Sequence, residues 1–226
     1  LPIMPALEQA LCRSNVWGVF ARRVVLPWAI GKQKLQGRVL EIGSGGGAMV
    51  ARLLQAYPDI TMTALDPDPT MVEASRHRLT GYGDRVDAVT GDATRLRFDA
   101  ETFDVVVSFL MLHHVGAWER ALAEAVRVLR PGGVLIGYDL LDTAIARLVH
   151  RADHADIRLV SEGDLRRLLI ELGMTEVTVR RRFGGLAATF TAQRAPSEVV
   201  PWTGNTRVNN IEAVSDVGPA IRKDRK

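Results

Sequence analysis

The stretch Val39-Leu40-Glu41-Ile42-Gly43-Ser44-Gly45-Gly46-Gly47 constrains this chain more than any other. A short apolar run suited to a buried strand leads straight into a glycine cluster, and Met49, Val50, Leu53, Leu54 and Tyr57 then recur at helical spacing. Strand, side-chain-free turn and helix in that order let backbone approach a ligand closely. The alternation continues through candidate strands at Ile60 to Leu65, Val86 to Val89, Asp104 to Ser108, Val134 to Tyr138, Glu176 to Arg181 and Leu186 to Ala192. Between them, Met71, Val72, Ser75 and Leu79, and Ala121, Leu122, Ala125, Val126 and Leu129, supply further helical faces. Strands alternating with helices predict an α/β fold: a doubly wound, mostly parallel sheet of seven strands.

The last two candidate strands are joined only by Phe183, Gly184 and Gly185. So short a connection suits an antiparallel hairpin, which makes one edge of the sheet mixed. Ahead of it, Ser161 and Asp164 have capping-box spacing, Leu165, Leu168, Leu169 and Leu172 form a stripe, and Gly173 suits the stop. Leu7, Leu11, Trp17, Phe20 and Val24 predict one or two N-terminal helices. The expected layout is a helical cap over residues 1–36, one α/β domain over 37–194 and a loosely ordered tail over 195–226.

At 226 residues the chain suits one well-filled domain. With 47% hydrophobic and 24% charged residues it reads as globular rather than disordered. A net charge of +3, spread among acids, permits a nucleic-acid partner without arguing for one. Cys12 is the only cysteine, so neither a disulfide within the chain nor a cysteine metal site is expected. No apolar run approaches the roughly 18 residues of a membrane span, and no signal-peptide layout opens the chain. A cytoplasmic location is the expectation.

By itself the glycine turn is ambiguous. Gly43, Gly45 and Ala48 also fit the dinucleotide pattern G-x-G-x-x-A, and Asp66 stands where either reading wants an acid for ribose hydroxyls. Three further features separate the readings. Gly91-Asp92-Ala93 follows the third strand, Leu112-His113-His114-Val115 follows the fourth, and Leu129-Arg130-Pro131-Gly132-Gly133 precedes the fifth. In this order the set resembles the class I, Rossmann-like S-adenosylmethionine-dependent methyltransferases, in particular their small-molecule, type 11-like group. The resemblance spans about Val39 to Ala192.

The resemblance implies S-adenosyl-L-methionine as cofactor, with S-adenosyl-L-homocysteine as product. It implies that Gly43, Ser44 and Gly45 face the amino-acid part of the cofactor with Glu41 beside them. Asp66, followed by Pro67, would take the ribose hydroxyls. Asp92 and the backbone of Ala93 would hold the adenine, and Ser108 and Phe109 would border the sulfonium.

Methyl transfer needs alignment more than side-chain chemistry, but a hydroxyl acceptor benefits from a base. His113 and His114 are the candidates; the alternative role for the pair is to cap a loop. Tyr138 and Asp139 either reach the acceptor or serve packing and a turn. His150 and His154 lie in a segment where related enzymes build acceptor pockets, though a solvent-facing role suits them better. Trp17, Phe20 and Trp28 form either a lid or a core anchor. Arg180, Arg181 and Arg182 lack interleaved aromatics, which favours a solvated strand edge or an anionic substrate over a nucleic-acid track.

Ser108-Phe109-Leu110-Met111 replaces the Pro-Pro-aromatic turn of amino-group methyltransferases, and Cys12 is misplaced for cytosine chemistry. A small molecule, methylated at a hydroxyl, is therefore the expected acceptor, and no metal is expected. The competing readings are a nicotinamide-dependent oxidoreductase, which lacks a Tyr-x-x-x-Lys pair here, and a non-catalytic cofactor-binding subunit.

Overall fold

A computed structural model describes residues 26–31, 33–143 and 158–196. Seven strands form one sheet: β1 (Gly37–Ile42), β2 (Ile60–Asp66), β3 (Val86–Thr90), β4 (Phe103–Phe109), β5 (Leu129–Leu140), β6 (Met174–Arg182) and β7 (Ala187–Arg194). Their spatial order is β3-β2-β1-β4-β5-β7-β6. The first five strands are parallel, while β7 runs antiparallel to both β5 and β6. The order reverses between β1 and β4, which is where an open α/β sheet receives its ligands.

Helices cover both faces because each strand alternates two apolar sets. On one face α1 (Leu26–Ile30), α2 (Ala48–Ala56) and α3 (Pro69–Leu79) bury Ala29, Val50, Leu53 and Val72 against Val39, Val105, Val107 and Ile136. On the other, α4 (Trp118–Val128) and α5 (Glu162–Glu171) bury Leu122, Val126, Leu165 and Leu169 against Leu40, Val106, Leu135 and Phe190. The fold is thus the expected Rossmann-like one, with its antiparallel edge hairpin at Phe183–Gly185.

The expected capping residue Ser161 starts α5, its hydroxyl oxygen accepting from the Asp164 N–H at 3.0 Å. The reciprocal half differs: the Asp164 carboxylate receives the Ser161 hydroxyl at 2.7 Å. Strand β5 starts earlier than its sequence suggests. Leu129 already pairs with Phe103, and Arg130–Gly133 loop out before pairing resumes at Val134 with Val105. Of the N-terminal helices, only α1 falls within the described residues; Leu7, Leu11, Trp17, Phe20 and Val24, like His150, His154 and most of the C-terminal tail, lie outside them.

Phe190 is fully buried in the middle of β7. A Cβ on Gly137 of β5 would come within 2.2 Å of its ring, so the neighbouring strand keeps a glycine to make room. Phe190→Ala is expected to lower stability by about 3–5 kcal/mol through lost burial and a cavity, read from the urea midpoint.

Candidate functional site

The turn after β1 is fastened to β2. Gly43 N–H and Ser44 N–H both donate to the Leu65 carbonyl, at 2.8 and 2.9 Å. Gly45 N–H donates to Asp66 Oδ2 at 2.8 Å, and Asp68 N–H donates to Asp66 Oδ1 at 2.9 Å. Each Asp66 oxygen therefore accepts one bond and keeps a second lone-pair direction for a ligand hydroxyl. Gly43 sits at φ +71 with Met111 packed so closely that a Cβ would lie 2.1 Å from its Cγ. At Gly45, φ +51, a Cβ would meet nothing within 4 Å, so open space adjoins the backbone there.

Glu41, at 1% exposure, lies beneath this turn. Burial first, and the charge of Asp66 second, push its carboxyl well above the ordinary carboxylate range. Asp66 is also raised by burial, against the lowering effect of the Asp68 and Gly45 N–H bonds. Buried Glu41 Oε2, Ser44 Oγ and Ser108 Oγ have no hydrogen-bond partner. Unsatisfied buried oxygens around a side-chain-free turn fit a polar ligand with a cationic end and vicinal hydroxyls.

The raised Glu41 value has a consequence for stability. Between its unfolded value, about 4.3, and its higher folded value, the folded protein keeps a proton that the unfolded chain releases. Stability from this group is thus present at low pH and is lost as pH rises through the folded value. Glu41→Gln should flatten that slope and raise the melting temperature of ligand-free protein at neutral pH by a few degrees (roughly 2–4 °C per kcal/mol), measured by calorimetry across pH.

The residues expected on the adenine side sit beside the same strand end. Gly91 N–H donates to the Asp66 carbonyl at 3.0 Å, placing Gly91-Asp92-Ala93 next to β2. Asp92 Oδ1 accepts from both the N–H and the hydroxyl of Thr94, at 2.8 Å each. Ala93 is buried, whereas Pro67 is exposed. Ser108 and Phe109 end β4, both buried, and the Phe109 ring stacks on Tyr138 at 5.6 Å.

After β4 the chain turns sharply, with Leu110 at φ +51, and a short 3-10 turn carries Leu112–His114. The buried carboxylate of Asp139 organises this turn. Its Oδ2 accepts from Met111 N–H at 3.0 Å and Leu112 N–H at 2.7 Å. Its Oδ1 accepts from Leu140 N–H at 2.7 Å and lies 2.5 Å from His113 Nδ1. Because a carboxylate only accepts, the Nδ1 of His113 carries the hydrogen in this pair. The His114 ring lies 4.0 Å from that of His113.

Glu41, Gly43, Ser44, Gly45, Asp66, Asp92, Ser108 and Phe109 thus meet at the carboxyl ends of β1 to β4. Asp139 faces inward, at 2% exposure, with its carboxylate taken up by His113 and the backbone of the turn. That pairing has no signal in the sequence, since it joins residues 26 apart through two strands. Trp28 is half-buried against Tyr138 and Phe183, which combines anchoring with a place at the rim. In the basic run, Arg181 pairs with Glu162 at 2.5 Å.

Sheet order and the turn after β1 are those of the Rossmann-like fold that class I methyltransferases share. Residues 40–137 match the family described as methyltransferase domain. The chain is 41% identical over 105 residues to the phthiotriol/phenolphthiotriol dimycocerosates methyltransferase of Mycobacterium leprae, covering 46% of this chain and 37% of that protein. It is 35% identical over 146 residues to the demethylmenaquinone methyltransferase of Clavibacter sepedonicus, covering 58% and 56%. The chain therefore spans roughly a third to just over half of these two relatives. An O-methyltransferase family protein from Burkholderia thailandensis superposes with a TM-score of 0.66 at 20% identity, over 81% of this chain and 60% of that one. The S-adenosylmethionine-dependent methyltransferase SibL does so with a TM-score of 0.65 at 21% identity, over 85% and 60%. Both likenesses are of fold. No helix among the described residues is long and apolar enough to cross a membrane.

Proposed function

We propose that the chain is an S-adenosylmethionine-dependent methyltransferase that methylates a hydroxyl group of a small molecule, with His113 as the general base. The observation that carries this reading is the Asp139 carboxylate, which holds His113 at 2.5 Å and the Met111 N–H at 3.0 Å. Met111 packs its side chain against Gly43 and gives its N–H to the carboxylate that holds His113, which links the cofactor turn to the base.

When bound, the cofactor supplies a methyl group made electrophilic by its sulfonium. Asp66 holds the ribose hydroxyls, Asp92 and the Ala93 backbone hold the adenine, and Gly43, Ser44 and Gly45 admit the amino-acid end. Glu41, costly to ionise while buried alone, becomes a favourable anion once a cation lies beside it. Ser108 and Phe109 border the transfer path, and the packed rings around Phe109 keep water out. The acceptor hydroxyl gives its proton to the His113 ring as its oxygen takes the methyl group, and S-adenosylhomocysteine is left as the thioether product. Asp139 stabilises the imidazolium that results and fixes the ring orientation. The partner is a small molecule, and a cytoplasmic location suits that chemistry.

Calorimetric titration with S-adenosylmethionine, S-adenosylhomocysteine and NADH tests the cofactor reading. Saturable binding of the first two is expected. Binding of NADH alone would overturn it in favour of an oxidoreductase.

A further inference from the structure

A run of touching rings leads outward from the end of β4. Phe109 stacks on Tyr138 at 5.6 Å, Tyr138 meets Trp28 of α1 at 5.7 Å, and Trp28 meets Phe183 at 5.0 Å. The run starts buried at Phe109 and ends at Phe183, which is 56% exposed. Phe183 belongs to the β6–β7 turn and holds φ at +48, a left-handed backbone that a bulky aromatic rarely adopts. The turn lies at the carboxyl end of the sheet, because Leu186 N–H closes it on the Phe183 carbonyl and Leu141 N–H of the chain after β5 reaches the Leu186 carbonyl. The turn thus holds an aromatic side chain in a left-handed backbone, against the Trp28 ring and open to solvent.

A charge stands beside the rings. The Arg182 guanidinium lies 5.8 Å from the centre of the Trp28 ring. Its Nε is buried and has no hydrogen-bond acceptor, which marks this guanidinium as incompletely paired within the fold. Its neighbour Arg181 is already committed to Glu162.

We propose that Trp28, Phe183 and Arg182 form the acceptor-binding end of the site, and that the acceptor is a flat hydroxylated aromatic acid. Its ring lies against Trp28 and Phe183, its carboxylate meets Arg182, and its hydroxyl points inward along Tyr138 and Phe109. This rests on the methyltransferase reading and names the substrate class for it. The rings select for flatness through face and edge contacts, and the guanidinium selects for a planar anion through charge-assisted hydrogen bonds.

Three probes of one carbon skeleton separate these contributions: 3-hydroxy-2-naphthoate, flat and anionic; 2-naphthol, flat and neutral; decahydro-2-naphthol, puckered and neutral. Each is titrated into the 226-residue protein saturated with S-adenosylhomocysteine. Affinity should fall in that order, by about tenfold at each step. Arg182→Gln should remove the advantage of the carboxylate and leave 2-naphthol binding unchanged. Phe183→Ala, a surface change that leaves the core intact, should weaken both flat probes several-fold and spare the puckered one. S-adenosylhomocysteine affinity should stay at the wild-type value in both variants. Equal affinities for the three probes, or variants that do not discriminate among them, would overturn the proposal while leaving the cofactor reading standing. Failure of wild-type protein to bind S-adenosylhomocysteine would sink the methyltransferase reading itself.

Discussion

Replacing Asp66 by alanine should reduce S-adenosylhomocysteine affinity by about 100-fold or more. Two charge-assisted hydrogen bonds to ribose hydroxyls are worth about 1.5–3 kcal/mol each, and tenfold corresponds to about 1.4 kcal/mol. The variant also frees the Gly45 and Asp68 N–H groups that Asp66 now receives at 2.8 and 2.9 Å, so the turn loses its shape together with its ligand contacts. Asp66→Asn separates the two losses. An amide keeps one accepting oxygen but presents an NH2 to one of the two backbone donors, so an intermediate loss is expected. Calorimetry on both variants reads the result. Affinity within threefold of wild type in Asp66→Ala would show that the carboxylate is not a ligand.

The second large effect is on turnover. With an acceptor that the protein methylates, His113→Ala should lower kcat by about 10²–10⁴-fold, the usual range for a positioned base. Cofactor affinity should change little. Free imidazole added to His113→Ala should recover part of the lost rate, a response that repairing a fold would not give. Asp139→Asn should also cost about 10²-fold or more, because its amide cannot satisfy the ring Nδ1–H and the three backbone N–H groups together. A His113→Ala enzyme within twofold of wild type would remove the base from the mechanism.

The strands were legible because β-branched runs such as Val105-Val106-Val107 sit in a sheet covered on both sides, where almost any apolar order is accepted. The hairpin was legible from the length of its turn. The early start of β5 was hidden by Arg130-Pro131-Gly132-Gly133, which has turn composition and does loop out, although Leu129 before it already pairs. In the site, Asp66 and the glycines announced themselves by order along the chain. Asp139 did not reveal its partner, because a contact between the ends of two parallel strands leaves no periodicity in either. Arg182 looked like one member of a basic run, and only packing separates it from Arg181.

The wedge of Met111 against Gly43 makes donor and acceptor chemistry a shared property of one wall. Anything that bulks out Gly43 displaces Met111, and Met111 is tethered through its N–H to the carboxylate that aims His113. In the proposed mechanism a side chain added at Gly43 therefore disturbs cofactor binding and base together. Under that mechanism, redesigning the loop for a different acceptor means building around a methionine-sized peg that also sets the shape of the turn.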